Sequence, residues 1–173
     1  MARQYLQDGP FIDPPVASGS ALVATTIEDL WVANTYTPIF ANDPKAGKIY
    51  VVEAGGIMSF AATGTLIITP QIGAVTLGAS VAQTSPGATT AQAWYLRLNV
   101  VFRVIAAGAA STAIGTGFFT TAGDASLDST ICIPFGGTSA TVDITANTNI
   151  TVRKTLSVAG SMTTQYAYIY SLN

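Results

Sequence analysis

The side chains that most often carry out enzymatic chemistry are scarce in this chain of 173 residues. It contains no histidine and one cysteine, Cys132. A Ser-His-Asp triad, a Cys-His pair, a Cys/His zinc site and an internal disulfide are therefore excluded. Carboxylates remain as candidate acids and bases, beside Tyr and Lys. Glu28 and Asp29 are sequence neighbours whose side chains point apart on a helical turn, so they make a poor acid–base pair. The sequence predicts no catalytic residue.

Two motifs suggest ligand binding, and both fail on their spacing. Asp124 and Asp128 lie in a polar stretch, but the alternating ligands, the central glycine and the final glutamate of a calcium loop are missing. Gly115-Thr116-Gly117 lacks the third glycine and the following helix of a dinucleotide site. A solvated loop explains the first motif, and a bulge or close sheet packing explains the second. No metal or cofactor is predicted.

Two further sequence features, a glycosylation sequon and the single cysteine, are explained without a functional site. Asn149-Ile150-Thr151 matches a glycosylation sequon, but it falls in a predicted strand and the sequence shows no secretion signal, which favours chance. Cys132 lies between Ile131 and Ile133, and we expect it to be a small buried hydrophobic side chain.

Charge is unusually sparse. Charged residues make up 9% of the chain, where a soluble domain has about 25%, and the mean hydropathy is +0.44. The folded surface would carry one charge per roughly 500 Å². The net charge of −2, without a basic run, offers no footprint for nucleic acid. These values predict a protein that associates with copies of itself or docks on a larger body.

A membrane location is not expected. The apolar stretch Trp94–Phe119 contains Arg97 and Arg103, and a central arginine costs about 2.5 kcal/mol or more in a spanning helix. The first ten residues lack the apolar run of a secretory signal. Synthesis in the cytoplasm of a host cell is the resulting expectation.

Short segments of period two, separated by Gly, Pro, Asn and Asp, predict an all-β domain. The count suits an antiparallel two-sheet sandwich over residues 20–173 as a single domain. The predicted strands are Ala21–Thr26, Lys48–Ala54, Thr65–Pro70, Trp94–Ile105, Ile114–Thr121, Ser129–Ile133, Ala140–Ile144, Asn149–Val158 and Thr164–Ser171.

In two of the predicted strands the sequence indicates which side chains face the core, because alternate side chains of a strand point to opposite faces. In Trp94–Ile105 the inward set is Leu96, Leu98, Val100, Phe102 and Val104, and Arg97 and Arg103 face out. In Asn149–Val158 the inward set is Ile150, Val152, Leu156 and Val158, with Lys154 as a break in the pattern and Arg153 outside.

The last predicted strand carries a column of phenols. Tyr166, Tyr168 and Tyr170 alternate with smaller residues, so all three share one face. Tyrosine is amphipathic and enriched at interfaces, which favours a subunit contact or a glycan platform. The alternative is that the three tyrosines belong to the core of the sandwich and that their hydroxyls reach its rim.

Three local signals complete the domain. Thr25–Trp31 predicts a short capped helical turn, with Asp29 three residues after Thr26, and Leu30 and Trp31 closing one end of the sandwich. Gly55-Gly56 and Gly136-Gly137 predict tight turns.

Residues 1–19 differ from the rest and predict an extended arm, because proline fixes φ and removes amide donors. The alternative is a disordered terminus. Free tails seldom carry so many apolar side chains, so we expect the arm to pack on a neighbouring subunit or a host surface. The residues concerned are Tyr5, Leu6, Phe11, Ile12, Pro14 and Pro15.

From Thr25 to the C-terminus the sequence resembles the jelly-roll decoration, or minor capsid, proteins of tailed bacteriophages. The matching segments are Thr25–Trp31, Tyr36–Ile39, Ala41–Asp43, Ala46–Tyr50, Ala54–Ile57, Thr63–Pro70, Trp94–Leu96, Ile114–Gly117 and Ile169–Asn173.

The resemblance implies a structural virion protein with a jelly-roll sandwich, expected to form a homotrimer on the outside of an icosahedral head. Its implied partners are its own copies and the major capsid protein, with the arm of residues 1–19 as anchor. Two alternatives stay open: a tail or baseplate subunit, and a fibre head that binds host glycans through Trp94, Tyr95 and the tyrosines. A glycan hydrolase, with Glu53 or Asp143 in a cleft about 5–9.5 Å from a second acid, is the least favoured.

Overall fold

The computed structural model describes residues 21–22, 27–31, 38–84, 88–121 and 132–172. These residues form an all-β structure of two antiparallel sheets packed as a sandwich, as the sequence predicts. The strands are β1 Ala21–Leu22, β2 Ile27–Asp29, β3 Ile49–Phe60, β4 Thr65–Ile72, β5 Val75–Thr76, β6 Gln83–Thr84, β7 Thr89–Val104, β8 Ser111–Thr121, β9 Cys132–Val142, β10 Ile150–Leu156 and β11 Gly160–Leu172. Within the described ranges, no helix is long and apolar enough to cross a membrane.

The strand order is nested. The six-stranded sheet runs β1-β11-β3-β7-β8-β9, and the smaller sheet runs β2-β10-β4-β5, with β6 also paired to β4. The first strand thus pairs with the last, and the second with the last but one. All of these pairs are antiparallel.

The core lies between the sheets and follows the predicted alternation. Leu96, Leu98, Val100 and Phe102 of β7 are fully buried, and Val152 and Leu156 of β10 face them from the other sheet. Trp94 stacks on Phe119 within this core, with ring centroids 5.6 Å apart. Leu30 and Trp31 are also buried, as predicted.

Several local predictions are wrong because sheet pairing overrides them. Part of the expected capped turn is strand β2, whose backbone pairs with Arg153 and Lys154, while Thr25 and Thr26 lie outside the described residues. Val104, expected in the core, is 51% exposed because the pairing with β8 shifts between Phe102 and Val104.

Neither glycine pair is a turn. Gly55 and Gly56 lie inside β3, where a neighbouring ring and a neighbouring carbonyl approach the strand. Gly136 and Gly137 have φ of +88° and +91° within β9, where the pairing with β8 also shifts. They join two predicted strands into one strand with a bulge, because glycine adopts positive φ without steric cost.

Cys132 is exposed, which corrects the expectation of a buried thiol. Its neighbour Ile133 and the next odd position, Phe135, point into the core. The alternation of β9 therefore places Cys132 on the outer side.

Lys154, which the sequence marks as a break in the inward pattern, points between the sheets. Its side chain is 4% exposed, its Nζ donates a hydrogen bond of 2.9 Å to the Met162 carbonyl, and Glu28 Oε2 lies 4.0 Å away. Burial lowers the pKa of Lys154 to about 8, against the opposing effect of the Glu28 carboxylate. Charging this amine inside the sandwich therefore costs stability.

Lys154→Met is expected to remove a pH dependence of stability. The pKa of Lys154 is about 8 in the folded chain and 10.5 ordinarily, so the unfolded chain binds more protons between these values. Stability therefore rises with pH in this window, by about 1–2 kcal/mol between about pH 8 and pH 9.5. Urea unfolding at several pH values measures the rise.

The matched control is Lys45→Met, which removes an exposed lysine. The control should keep the rise, and Lys154→Met should flatten it. Equal slopes in the two variants would contradict the assignment.

Candidate interaction surface

The outer side of the six-stranded sheet carries five aromatic side chains from three strands, and we call this surface the aromatic face. Its members are Tyr95 on β7, Phe118 on β8, and Tyr166, Tyr168 and Tyr170 on β11. On β11 the alternating residues Ala167 and Ile169 pack toward the core. The interpretation of the tyrosine column as sandwich core is therefore wrong, and the column faces outward.

The rings of the aromatic face lie in neighbouring pairs. The Tyr166 and Tyr168 centroids are 5.6 Å apart, and those of Tyr95 and Phe118 are 6.0 Å apart, both in tilted arrangements. Tyr168 is 40% exposed. Aromatic pairs at this spacing attract each other, which favours a fixed arrangement of the rings on this surface.

Gly55 lies between the two pairs. In the sheet register it is opposite Tyr166 on one side and Tyr95 on the other. A Cβ at Gly55 would come within 2.4 Å of the Tyr166 hydroxyl and 2.5 Å of the ring carbon that bears it. The missing side chain thus lets the Tyr166 ring lie across β3 toward Tyr95.

The charges at the centre of the face cancel. Arg97 Nε lies 3.6 Å from Glu53 Oε1, and the Tyr170 hydroxyl donates a hydrogen bond of 3.1 Å to the same oxygen. Burial raises the pKa of Tyr170, and its hydrogen bond to the Glu53 carboxylate adds to the rise. The pKa of Tyr95 is raised by burial and then by the negative charge of Glu53. The Tyr95 and Tyr170 hydroxyls therefore stay neutral, and the ion pair at the centre of the face has no net charge.

The sequence-predicted site residues have different outcomes. Tyr166, Tyr168 and Tyr170 share one face, as their spacing predicts, and the structure turns that face outward. The arm residues Tyr5, Leu6, Phe11, Ile12, Pro14 and Pro15 lie outside the described residues.

The face also contains Phe118, which the sequence did not single out, and Tyr95, which it paired with the wrong neighbour. Trp94, expected to be exposed beside Tyr95, is 3% exposed and belongs to the core. Alternation along β7 places Trp94 and Tyr95 on opposite faces of the sheet. The same alternation along β8 places Phe118 on the face opposite buried Phe119. That signal could have found Phe118, but its place beside Tyr95 depends on the register between strands.

The acidic residues that the structure describes do not gather into a reactive cluster. Glu28 faces Lys154 inside the sandwich, and Asp29 Oδ1 lies 3.2 Å from Arg153 Nε on the outer side. Asp143 accepts hydrogen bonds from the backbone N and the hydroxyl of Thr145. Across the described ranges, no group of three His, Cys, Asp or Glu side chains could hold a metal ion. Asp124 and Asp128 lie outside those ranges.

Comparison of the chain with models of known families, with curated proteins and with solved structures found no match. The aromatic face therefore has to be interpreted from its own geometry, as an ordered, uncharged surface suited to contact with another protein surface.

Proposed function

We propose that this chain is a structural protein of a tailed-bacteriophage virion, which binds the outer surface of the capsid as a homo-oligomer, expected to be a trimer. The observation that carries the proposal is the aromatic face. Its rings come from three strands, and its central charges, Glu53 and Arg97, neutralise each other. Interfaces between subunits are enriched in such aromatic residues and depleted of unpaired charge.

The strand order supports the jelly-roll part of the proposal. A jelly roll consists of two sheets formed by nested antiparallel pairs. Here β1 pairs with β11, β2 pairs with β10, and β3 and β4 flank β11 and β10 in their respective sheets. In this proposal β8 and β9 are an additional hairpin that widens the sheet carrying the aromatic face.

The sparse charge supports assembly as well. With 16 charged residues in 173, the chain lacks the charged coat that keeps a small protein monomeric. Its slightly acidic balance suits the outer side of a particle better than the side that faces DNA.

The position of β1 suggests how the arm would act. Ala21 and Leu22 pair with Ser161 and Gly160 at the outer edge of the six-stranded sheet, beside β11. Residues 1–19 precede this point, so in the proposal they extend from the sheet edge toward the capsid lattice.

Deletion of residues 1–19 is expected to abolish capsid binding and leave the oligomer intact, because the aromatic face lies entirely within the retained domain. Light scattering gives the mass of the oligomer, and co-sedimentation with undecorated capsids gives binding. If the deletion changes neither the mass of the oligomer nor capsid binding, the arm is not the capsid anchor. The same conclusion follows if the deletion abolishes oligomerisation.

The capsid proposal itself has a direct test. Purified full-length chain is added to expanded capsids that lack it. Binding should raise the temperature at which the capsids break, because a ligand of the intact lattice stabilises it by mass action. Absence of both binding and stabilisation would exclude decoration.

A further inference from the structure

One end of the sandwich exposes large apolar side chains, and we call this surface the apolar end. It is the end at which β3 begins and β7 and β11 finish. Its members Phe40, Val104, Ile105 and Leu172 are each between 37% and 51% exposed. Exposed apolar side chains scattered singly are ordinary, but a group of them at one end indicates a contact surface.

The loop between β7 and β8 is the most prominent part of the apolar end. Its residues 104–110 are only Val, Ile, Ala and Gly, although connecting loops are usually rich in polar residues. The Gly47 N–H donates a hydrogen bond of 2.8 Å to the Phe102 carbonyl, where the neighbouring segment turns into β3. The loop therefore projects past the start of the adjacent strand.

The loop is fixed at its base. Ser111 is fully buried, and its hydroxyl oxygen accepts a hydrogen bond of 3.1 Å from the Ala106 N–H. The same hydroxyl lies 3.1 Å from the Ala106 carbonyl, to which it can donate. A partner that covered the loop would not have to supply hydrogen bonds to this residue, so covering it would cost little.

Phe40 is also held in place. Its carbonyl accepts a hydrogen bond of 3.1 Å from the Asp43 N–H. The Asp43 carboxylate in turn accepts hydrogen bonds from Lys48 Nζ and from the Tyr50 hydroxyl, at the start of β3. The apolar end is thus formed by segments that are tied to the sheet.

The charges around the apolar end indicate what could cover it. Within the described ranges, eight charged side chains form four ion pairs, and those that remain are Lys45, Arg103 and Asp143. Arg103 precedes Val104, Lys45 lies in the segment before β3, and Asp143 follows β9. Two cations and one carboxylate give this border a net positive charge. The complementary surface is apolar with carboxylates at its edge.

A lipid surface fits less well. Membrane-binding surfaces combine bulky apolar side chains with several lysines and arginines, each worth about 1 kcal/mol near an anionic bilayer. The apolar end has two such cations beside a carboxylate, and its loop carries no residue larger than isoleucine. These observations favour a protein partner.

The direction of β1 places the arm on the same side of the molecule. β1 runs antiparallel to β11, and β11 ends at Leu172 in the apolar end. The chain therefore enters β1 from the direction of the apolar end. An arm that precedes β1 and a loop that projects from this end can contact the same partner.

We propose that the apolar end docks on the major capsid protein, with the loop of residues 104–110 in an apolar pocket bordered by carboxylates. This inference rests on the proposed decoration of the capsid and names the surface that makes the contact. A stable protein contact takes about 20–30 residues on each side, more than the apolar end offers. The arm of residues 1–19 would supply the remainder.

The test is binding of full-length Ala107→Asp to expanded capsids that lack the protein. Ala107 is exposed in the loop and has an extended backbone with φ of −65° and ψ of 142°, which aspartate also adopts, so the fold should tolerate the change. In the contact its carboxylate would lose water beside like charges, so the dissociation constant should rise at least about tenfold. The matched control is Ala79→Asp, at an exposed alanine between β5 and β6, which should bind like the native chain.

The charged border has its own variants. Arg103→Glu should slow association with the capsid, and Arg103→Lys should keep most of the native rate, because a charge at the edge of a contact acts mainly on the encounter. Equal association rates for the native chain and both variants would overturn the proposed carboxylate border.

The outcomes separate this inference from decoration itself. If the native chain binds and Ala107→Asp binds equally well, the apolar end is not the docking surface, and decoration stands. If the native chain does not bind, decoration is excluded and this inference with it. Urea unfolding checks that the variants are folded.

Two further measurements test the occupant. Light scattering of Ala107→Asp should give the native oligomer mass, and a smaller mass would make the apolar end a contact between copies. The native chain should not float with vesicles of phosphatidylcholine and phosphatidylglycerol. Flotation that Ala107→Asp removes would assign the apolar end to lipid and overturn the proposal.

Discussion

Tyr168→Lys is expected to convert the proposed homo-oligomer into protomers of 17.8 kDa. Tyr168 is 40% exposed, in the middle of the β11 column, and is opposite Glu53 in the register. A lysine there lies beside a carboxylate on the surface of the isolated protomer, so the fold should tolerate it. At a subunit contact the same amine would be removed from water, which costs about 2–5 kcal/mol. The dissociation constant should rise at least about 30-fold.

Thr155→Lys provides the control, because it adds the same charge to the outer side of the other sheet. Analytical ultracentrifugation over a range of concentrations gives the dissociation constants, and urea unfolding checks that both variants are folded. If both variants assemble like the native chain, the aromatic face is not the contact. If both dissociate equally, net charge rather than this face controls assembly.

Gly56→Ala is expected to lower the free energy of unfolding by about 3 kcal/mol or more. A Cβ at this position would come within 1.9 Å of the Thr163 carbonyl oxygen and 2.9 Å of its carbon, on the neighbouring strand β11. Both atoms belong to the backbone, so relief requires β3 and β11 to separate. The pair already has an irregular register between Thr164 and Tyr166, one residue further along. Urea unfolding measures the loss.

Gly55→Ala is the matched comparison, since it adds the same methyl group one residue earlier. Its Cβ would meet the end of the Tyr166 ring, which can rotate away. We expect a loss of about 1 kcal/mol or less in stability together with weaker assembly, because the ring would leave its place in the aromatic face. If the two substitutions lower the stability equally, the distinction between a backbone contact at Gly56 and a side-chain contact at Gly55 is wrong.

The sequence predicts the sandwich because its strand alternation is regular where the strands are longest. In β7 the alternation of Leu96, Leu98, Val100 and Phe102 with polar residues is enough to assign the core side. The pattern is less informative at Lys154, which it marks only as a break, although Val152 and Leu156 on either side face inward and the lysine is buried with them.

The failures occur where contacts between strands decide. The two glycine pairs, Gly55-Gly56 and Gly136-Gly137, have the composition of turns. In the structure a neighbouring ring and two neighbouring carbonyls, together with the bulge in β9 itself, favour glycine within β3 and β9. Asp29 has the spacing of a helix cap, yet pairing of β2 with β10 places it beside Arg153. The sequence around each of these residues does not indicate which residue of a neighbouring strand it will contact.

The candidate surface could be predicted only in part for the same reason. The spacing of the tyrosines on β11 places them on one face, but it does not say which face is outside. Tyr95 and Phe118 join them because β7 and β8 pair in one particular register.

The central claim, that the chain works as an assembly of its own copies through the aromatic face, is tested most directly by the mass of the full-length protein in solution. Sedimentation equilibrium should give about 53 kDa, three times the 17.8 kDa of one chain, and Tyr168→Lys should return it to 17.8 kDa. A mass of 17.8 kDa for the native chain at every concentration measured would contradict the claim.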